Sequence, residues 1–114
     1  MLVYRTRIYQ KRCRKLFSDS EQQKAEEEIL SDPNAWPVIP ASGGVRKARA
    51  SLSGRGKRGG ARVIYFWLDR HEEVYLLTAY TKNDKEDLSA AELKEWNQFA
   101  TSIRREKADV GKNS

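Results

Sequence analysis

The sequence predicts an α+β domain: a small, antiparallel-rich sheet in the order β-α-α-β-β-β-α, with two N-terminal helices on one face and a C-terminal helix. Three observations predict it. Ser18-Asp19-Ser20-Glu21 offers a helix N-cap followed three residues later by the glutamate of a capping box, and Pro33 stops the helix so begun. Val63 to Leu68 is an unbroken apolar and aromatic run, answered by Val74 to Tyr80 across a short polar turn, which reads as a hairpin. Leu88-Ser89-x-x-Glu92-Leu93 then joins a second capping box to a hydrophobic staple. The 114 residues are enough for one domain, expected over residues 1–105, with 106–114 a frayed tail.

The elements follow in order. A short strand is expected at Leu2 to Tyr4. In the helix after it, Tyr9, Cys13 and Leu16, with Ile8, form the apolar face, and Lys11, Arg12, Arg14 and Lys15 point outward. The second helix spans about Asp19 to Leu30. Asn34 to Gly44, with Pro37, Pro40 and two glycines, reads as a connecting loop pinned by Trp36, Val38 and Ile39. From Val45 to Leu52 the period is two: Val45, Lys47 and Arg49 alternate with Arg46, Ala48 and Ala50. Ser53 to Gly60 is a basic, glycine-rich turn. Arg62 to Asp69 is the central strand, in which Arg62, Ile64 and Phe66 share one face and Val63, Tyr65 and Trp67 the other. One face is expected to meet the helices. The other is expected to stay open to a ligand, with Arg62 on its rim. The last helix carries Leu93, Trp96, Ala100 and Ile103 as an apolar stripe.

Composition excludes several classes of function. The longest apolar run is far short of the ~20 residues of a membrane span, so no membrane association is expected. No apolar segment follows Arg5 and Arg7 as in a secretory signal. A lone thiol, Cys13, forms no internal disulfide, rules out a cysteine-based zinc site and fits a reducing, cytoplasmic setting. With His71 the only histidine, no His-pair metal site or two-histidine ribonuclease is available, and neither metal nor cofactor is expected. The net charge of +6 is unevenly spread. Residues 1–17 hold six cations and no acid, residues 18–32 hold six acids and one lysine, and residues 43–62 hold seven cations and no acid. Such blocks give one strongly positive face suited to a polyanion.

Gly54-Arg55-Gly56-Lys57-Arg58-Gly59 formally matches a dinucleotide fingerprint, but a strand follows it where a helix N-terminus is required. With Gly60, four glycines and three cations there suit a phosphodiester backbone; the alternative is a solvated, basic hairpin tip. Arg62 favours the first, because a charge opening the most buried strand needs a partner or a function. Antiparallel pairing brings Tyr80 and Lys82 to the same sheet end as Arg62, so Arg55, Lys57, Arg58, Arg62, Tyr80 and Lys82 gather there. His71 reads as a solvated turn residue, and Trp96, Trp67 and Tyr65 as core rather than stacking platforms.

The Gly43-Gly44-Val45-Arg46-Lys47-Ala48-Arg49 segment, the run from Gly56 to Tyr65, Tyr80-Thr81-Lys82-Asn83 and Asp87-Leu88-Ser89 together resemble the HigB branch of the RelE/ParE toxin superfamily. The resemblance covers about residues 4–105. It implies a toxin of a type II toxin–antitoxin pair, with relatives that cut messenger RNA in the ribosomal A site using Lys, Arg and Tyr. It implies an antitoxin partner, commonly with a helix-turn-helix, and operator DNA bound only by the toxin–antitoxin complex. On this resemblance Arg62, Lys57, Lys82 and Tyr80 are the catalytic candidates, and Arg55, Arg58, Arg46 and Lys47 would hold the RNA backbone. Two other readings stay open: a ParE-type gyrase inhibitor, and a non-catalytic basic module that binds RNA or the ribosome.

Overall fold

The computed structural model describes residues 1–52, 60–85 and 87–112. Its elements are β1 (Leu2–Arg5), α1 (Arg7–Leu16), α2 (Asp19–Ser31), β2 (Val45–Ala50), β3 (Ala61–Leu68), β4 (Glu73–Thr81) and α3 (Ala90–Lys112). The α+β class and element order are those the sequence predicts. The strands form one sheet in the order β1-β4-β3-β2. β2, β3 and β4 are antiparallel neighbours, whereas β1 runs parallel to β4, so the sheet is mixed.

Both predicted capping boxes form. Ser18 Oγ accepts from the Glu21 amide at 3.2 Å, while Glu21 Oε1 accepts from the Ser18 amide at 2.8 Å. Ser89 and Glu92 repeat the exchange at 3.1 and 3.0 Å. Each satisfies two of the helix-end amides that would otherwise lack partners. α1 is capped by Thr6, whose Oγ1 accepts from the Tyr9 amide.

The sheet is covered on both faces. On one, Tyr9, Cys13 and Phe17 with Ala25 and Ile29 of α2 pack on Ala48, Ala61, Val63, Tyr65, Leu76 and Ala79. On the other, Val45, Ile64, Phe66, Tyr75, Leu77 and Tyr80 meet Leu88 and Ala100, with Leu93, Trp96, Phe99 and Ile103 of α3 packed around them. The alternation of β3 is as predicted, but the second face is not left open, because α3 is long enough to lie along it. Each large side chain so buried contributes about 2 kcal/mol. Ile8 stays half exposed, outside the core its helix builds.

The segment expected as a frayed tail lies within α3 as far as Lys112. α3 continues past Arg105, and Lys107 Nζ reaches the buried carboxylate of Glu73 at 3.2 Å. Tyr4 Oη donates to the same carboxylate at 3.0 Å. Burial opposes the charge of Glu73, but hydrogen bonds from Lys107, Tyr4 and Tyr75 hold its pKa below the usual range.

β4 carries one irregularity. Ile64 pairs with Thr78 but Tyr65 with Leu76, so Leu77 is an extra residue opposite the Ile64–Tyr65 step. Before this bulge the even-numbered Val74 and Leu76 face α1 and α2; after it Ala79 does, and Tyr80 turns to the α3 side. The bulge carbonyl of Leu77 accepts from Thr6 Oγ1 at 2.7 Å, and that of Ala79 from Arg12 Nε at 3.0 Å. The four-residue β1 leaves these carbonyls without a strand partner, and the N-cap of α1 and Arg12 within it supply the donors. At the other edge, the loop bridges Val38 to Arg46, and the Ile39 amide donates to Val45 O at 2.8 Å. The loop returns through Gly43 and Gly44, at φ +77° and +102°, where a side chain would be strained.

Candidate functional site

Antiparallel register places Arg49 opposite Arg62, and Arg62 opposite Tyr80, so all three project from the α3-facing side of the sheet. Lys47 pairs with Ile64 on the same side. Along β2 this face runs from buried Val45 through half-buried Lys47 to exposed Arg49, as cover from α3 gives out toward the sheet end. Arg62 is half-buried there. Its guanidinium donates to the carbonyl of Ala61 at 3.3 Å and meets no carboxylate among the described residues. Two guanidinium-bearing residues thus face each other across adjacent strands with no carboxylate paired to either among the described residues. That arrangement costs free energy in the empty protein and is relieved by a bound anion.

Tyr80 lies beneath this charge. It is 1% exposed, with Lys85 Nζ 5.5 Å from its ring centre and Leu88 in the same cluster. Its hydroxyl is buried without a hydrogen-bond partner among the described residues. Burial, reinforced by the charge of Asp87 and opposed by Arg62, pushes its pKa up to about 12. Tyr80 is therefore a neutral support under Arg62 and presents no ring surface to a ligand. Asp87 Oδ1 stands 3.7 Å from Lys47 Nζ and accepts from the Leu88 amide, tying the start of α3 to the cationic face. Lys85 pairs with Glu92 at 2.6 Å.

Lys82 is exposed in the turn after β4, next to Thr81, the partner of Ala61. Asp84 holds this turn: its Oδ2 accepts from the Thr81 amide and hydroxyl, each at 3.0 Å, and pairs with Arg12 at 2.6 Å. Those contacts, the Thr81 amide foremost, hold the Asp84 carboxyl below its usual pKa. Arg12, expected to point into solvent, is thereby a brace.

Four sequence candidates thus share one sheet end: Arg62, Tyr80, Lys82 and Lys47. Arg46 does not join them. It pairs with Tyr65 on the opposite face, and its Nη1 donates to the carbonyls of Asn34 at 3.1 Å and Trp36 at 2.6 Å, fastening the loop. Arg55, Lys57 and Arg58 lie outside the described residues. Arg49 and Asp87 were not singled out by the sequence reasoning. The period of two through Lys47 carried the signal for Arg49; nothing in the sequence marked Asp87 beyond its place before a helix cap.

Among the described residues no group of three His, Cys, Asp or Glu side chains could hold a metal ion, and no helix is long and apolar enough to cross a membrane. Among the described residues the arrangement offers fixed positive charge and no acid–base pair of the histidine or glutamate kind. Its chemistry is that of a preorganised anion site.

Comparison with known proteins finds a family model and solved structures to which this chain is similar. The family model described as "RelE toxin of RelE / RelB toxin-antitoxin system" matches residues 1–110. Among solved structures, a mutant of E. coli toxin RelE in the free state superposes with a TM-score of 0.54 at 18% identity, covering 75% of this chain and 86% of that one. The intact E. coli RelBE toxin–antitoxin complex matches with a TM-score of 0.50 at 21% identity, covering 68% and 92%. At these identities the two structures speak for the fold alone.

Proposed function

The chain belongs to the RelE toxin family of toxin–antitoxin systems, and from that premise we propose that it is an endoribonuclease acting on messenger RNA in the ribosome, in the manner of the HigB-like branch its motifs resemble. The observation that supports this reading is Arg62: half-buried, without a carboxylate among the described residues, and backed by a second arginine across the strand pair.

In the proposed reaction the ribose 2′-hydroxyl attacks the adjacent phosphorus. The bond to the 5′-oxygen breaks, leaving a 2′,3′-cyclic phosphate and a free 5′-hydroxyl. Arg62 and Arg49 stabilise the charge that gathers on the non-bridging oxygens; a preorganised donor of this kind is worth about 10²–10³ in rate. Lys82 or Lys57 takes the 2′ proton, and the departing 5′-oxygen takes a proton from solvent. Lys47, with Arg55 and Arg58, holds the flanking backbone. Tyr80 carries Arg62 from below. The partner is an antitoxin that covers this cationic end, the toxin–antitoxin pair is what binds operator DNA, and the setting is the cytoplasm.

Primer extension on translated messages tests the reading. Cuts within codons that need the ribosome are expected and should vanish in Arg62→Ala. Inhibition of supercoiling without cuts would replace it with a gyrase inhibitor. Neither effect would leave a binding module.

A further inference from the structure

The N-terminal cation block is not used up by the site. Of its six members, Arg5 is paired with Glu26 at 2.6 Å and Arg12 with Asp84 at 2.6 Å. Arg7, Lys11, Arg14 and Lys15 are all exposed and have no hydrogen bond or ion pair among the described residues. At 100° per residue they fall within about 100° of one another around α1, opposite the buried Tyr9 and Cys13. From Arg7 to Lys15 the row is about 12 Å long.

From this row we infer a second RNA-binding surface: the outer face of α1 receives the sugar–phosphate backbone of double-stranded RNA, apart from any strand held at Arg62. Three features select that ligand. The row is made of cations with a single apolar side chain, half-exposed Ile8, at its edge, whereas a protein interface is built on a desolvated core. Long basic side chains spaced along a helix match phosphates bordering the narrow groove of an A-form duplex, which is recognised by shape and backbone rather than sequence. The row is also continuous with the site: Arg12, on the same helix, binds Ala79 O and Asp84, at the end of β4 that carries Tyr80 and the turn that carries Lys82.

The surface needs no cleavage chemistry, so it stands or falls separately from the proposed function. Full-length chain is titrated with a blunt 16-base-pair RNA duplex over a range of salt, reading fluorescence anisotropy. The quadruple variant Arg7→Gln/Lys11→Gln/Arg14→Gln/Lys15→Gln is expected to bind at least tenfold more weakly at low salt. Its log–log salt slope should be shallower by about three, as when roughly four phosphate contacts are lost. Arg7→Lys/Arg14→Lys, which keeps the charge, should bind like the parent, and Arg62→Ala should retain duplex binding even where cleavage is lost. Unchanged duplex affinity and slope in a quadruple variant with a parental thermal melt would overturn the inference. So would duplex binding that is unaffected while self-association through the acidic face of α2, or capture of an acidic antitoxin segment, is lost.

Discussion

Arg49 and Arg62 stand directly opposite each other on β2 and β3, with no acidic side chain among the described residues to separate their charges. Like charges in that relation destabilise a sheet, so the pair is stored repulsion that an incoming phosphate discharges. Arg49→Ala should therefore raise stability slightly, by about 0.5 kcal/mol or less, while slowing cleavage. Arg62→Ala should lower the cleavage rate by about 10²-fold or more with little change in thermal melting. A marked fall in Tm for Arg62→Ala would mean that the residue is structural.

Tyr80→Phe removes a buried hydroxyl that, among the described residues, has no close hydrogen-bond partner. It should leave stability unchanged or improve it by up to about 1 kcal/mol, and leave the cleavage rate within about threefold, since the ring that supports Arg62 remains. Tyr80→Ala should lose both stability and rate. A collapse of the rate in the Phe variant alone would give the hydroxyl a direct role.

Glu26 sets the acid limit of the fold. It is 7% exposed and accepts from Arg5 at 2.6 Å, Tyr9 Oη at 2.7 Å and Gln22 at 3.1 Å. Burial works against its charge, but these donors prevail and lower its pKa from the ordinary 4.5. A carboxylate lowered in this way stabilises the fold fully above its unfolded pKa, and that contribution is lost as pH falls through the lower folded value. Urea midpoints should therefore decline below about pH 4.5, and Glu26→Gln should flatten that decline. At neutral pH, Glu26→Ala should cost about 3 kcal/mol, because it strands Tyr9 Oη and the Arg5 guanidinium.

Removal of residues 106–114 should be neutral if they are a frayed tail. With Lys107 seated on Glu73, the truncated chain should instead melt several degrees lower. Glu73→Gln should recover part of that loss, since a neutral amide tolerates the buried position better.

Local chemistry made much of this molecule legible. Ser18 with Glu21, and Ser89 with Glu92, announce helix starts because the caps are satisfied within four residues. Ile64 and Phe66 separate from Val63 and Tyr65 because strand alternation is a backbone property. What stayed hidden depends on partners distant in sequence. Nothing near Leu2 says that β1 runs parallel to β4. The capture of Arg46 by loop carbonyls and of Arg12 by Asp84 cannot be told from solvation in a charge count. α3 outlasted its apolar stripe because Lys107 finds an acid 34 positions earlier. At the site, Arg62 was recognisable as a charge out of place, whereas Arg49 required the register and Asp87 the path of the chain before α3.

The surplus residue in β4 ties the two sides of the sheet to a common reading frame. With Leu77 present, Ala79 fills the helical core and Tyr80 comes to lie under Arg62. Flattening the bulge with Leu77 retained would exchange the two side chains, driving a phenol into a slot shaped for a methyl group and leaving the arginine unsupported. Substitutions along this strand can be absorbed one at a time. Loss of the surplus position would instead keep the frame beyond it and forfeit the Leu77 side chain on the α3 side and the carbonyl that holds Thr6.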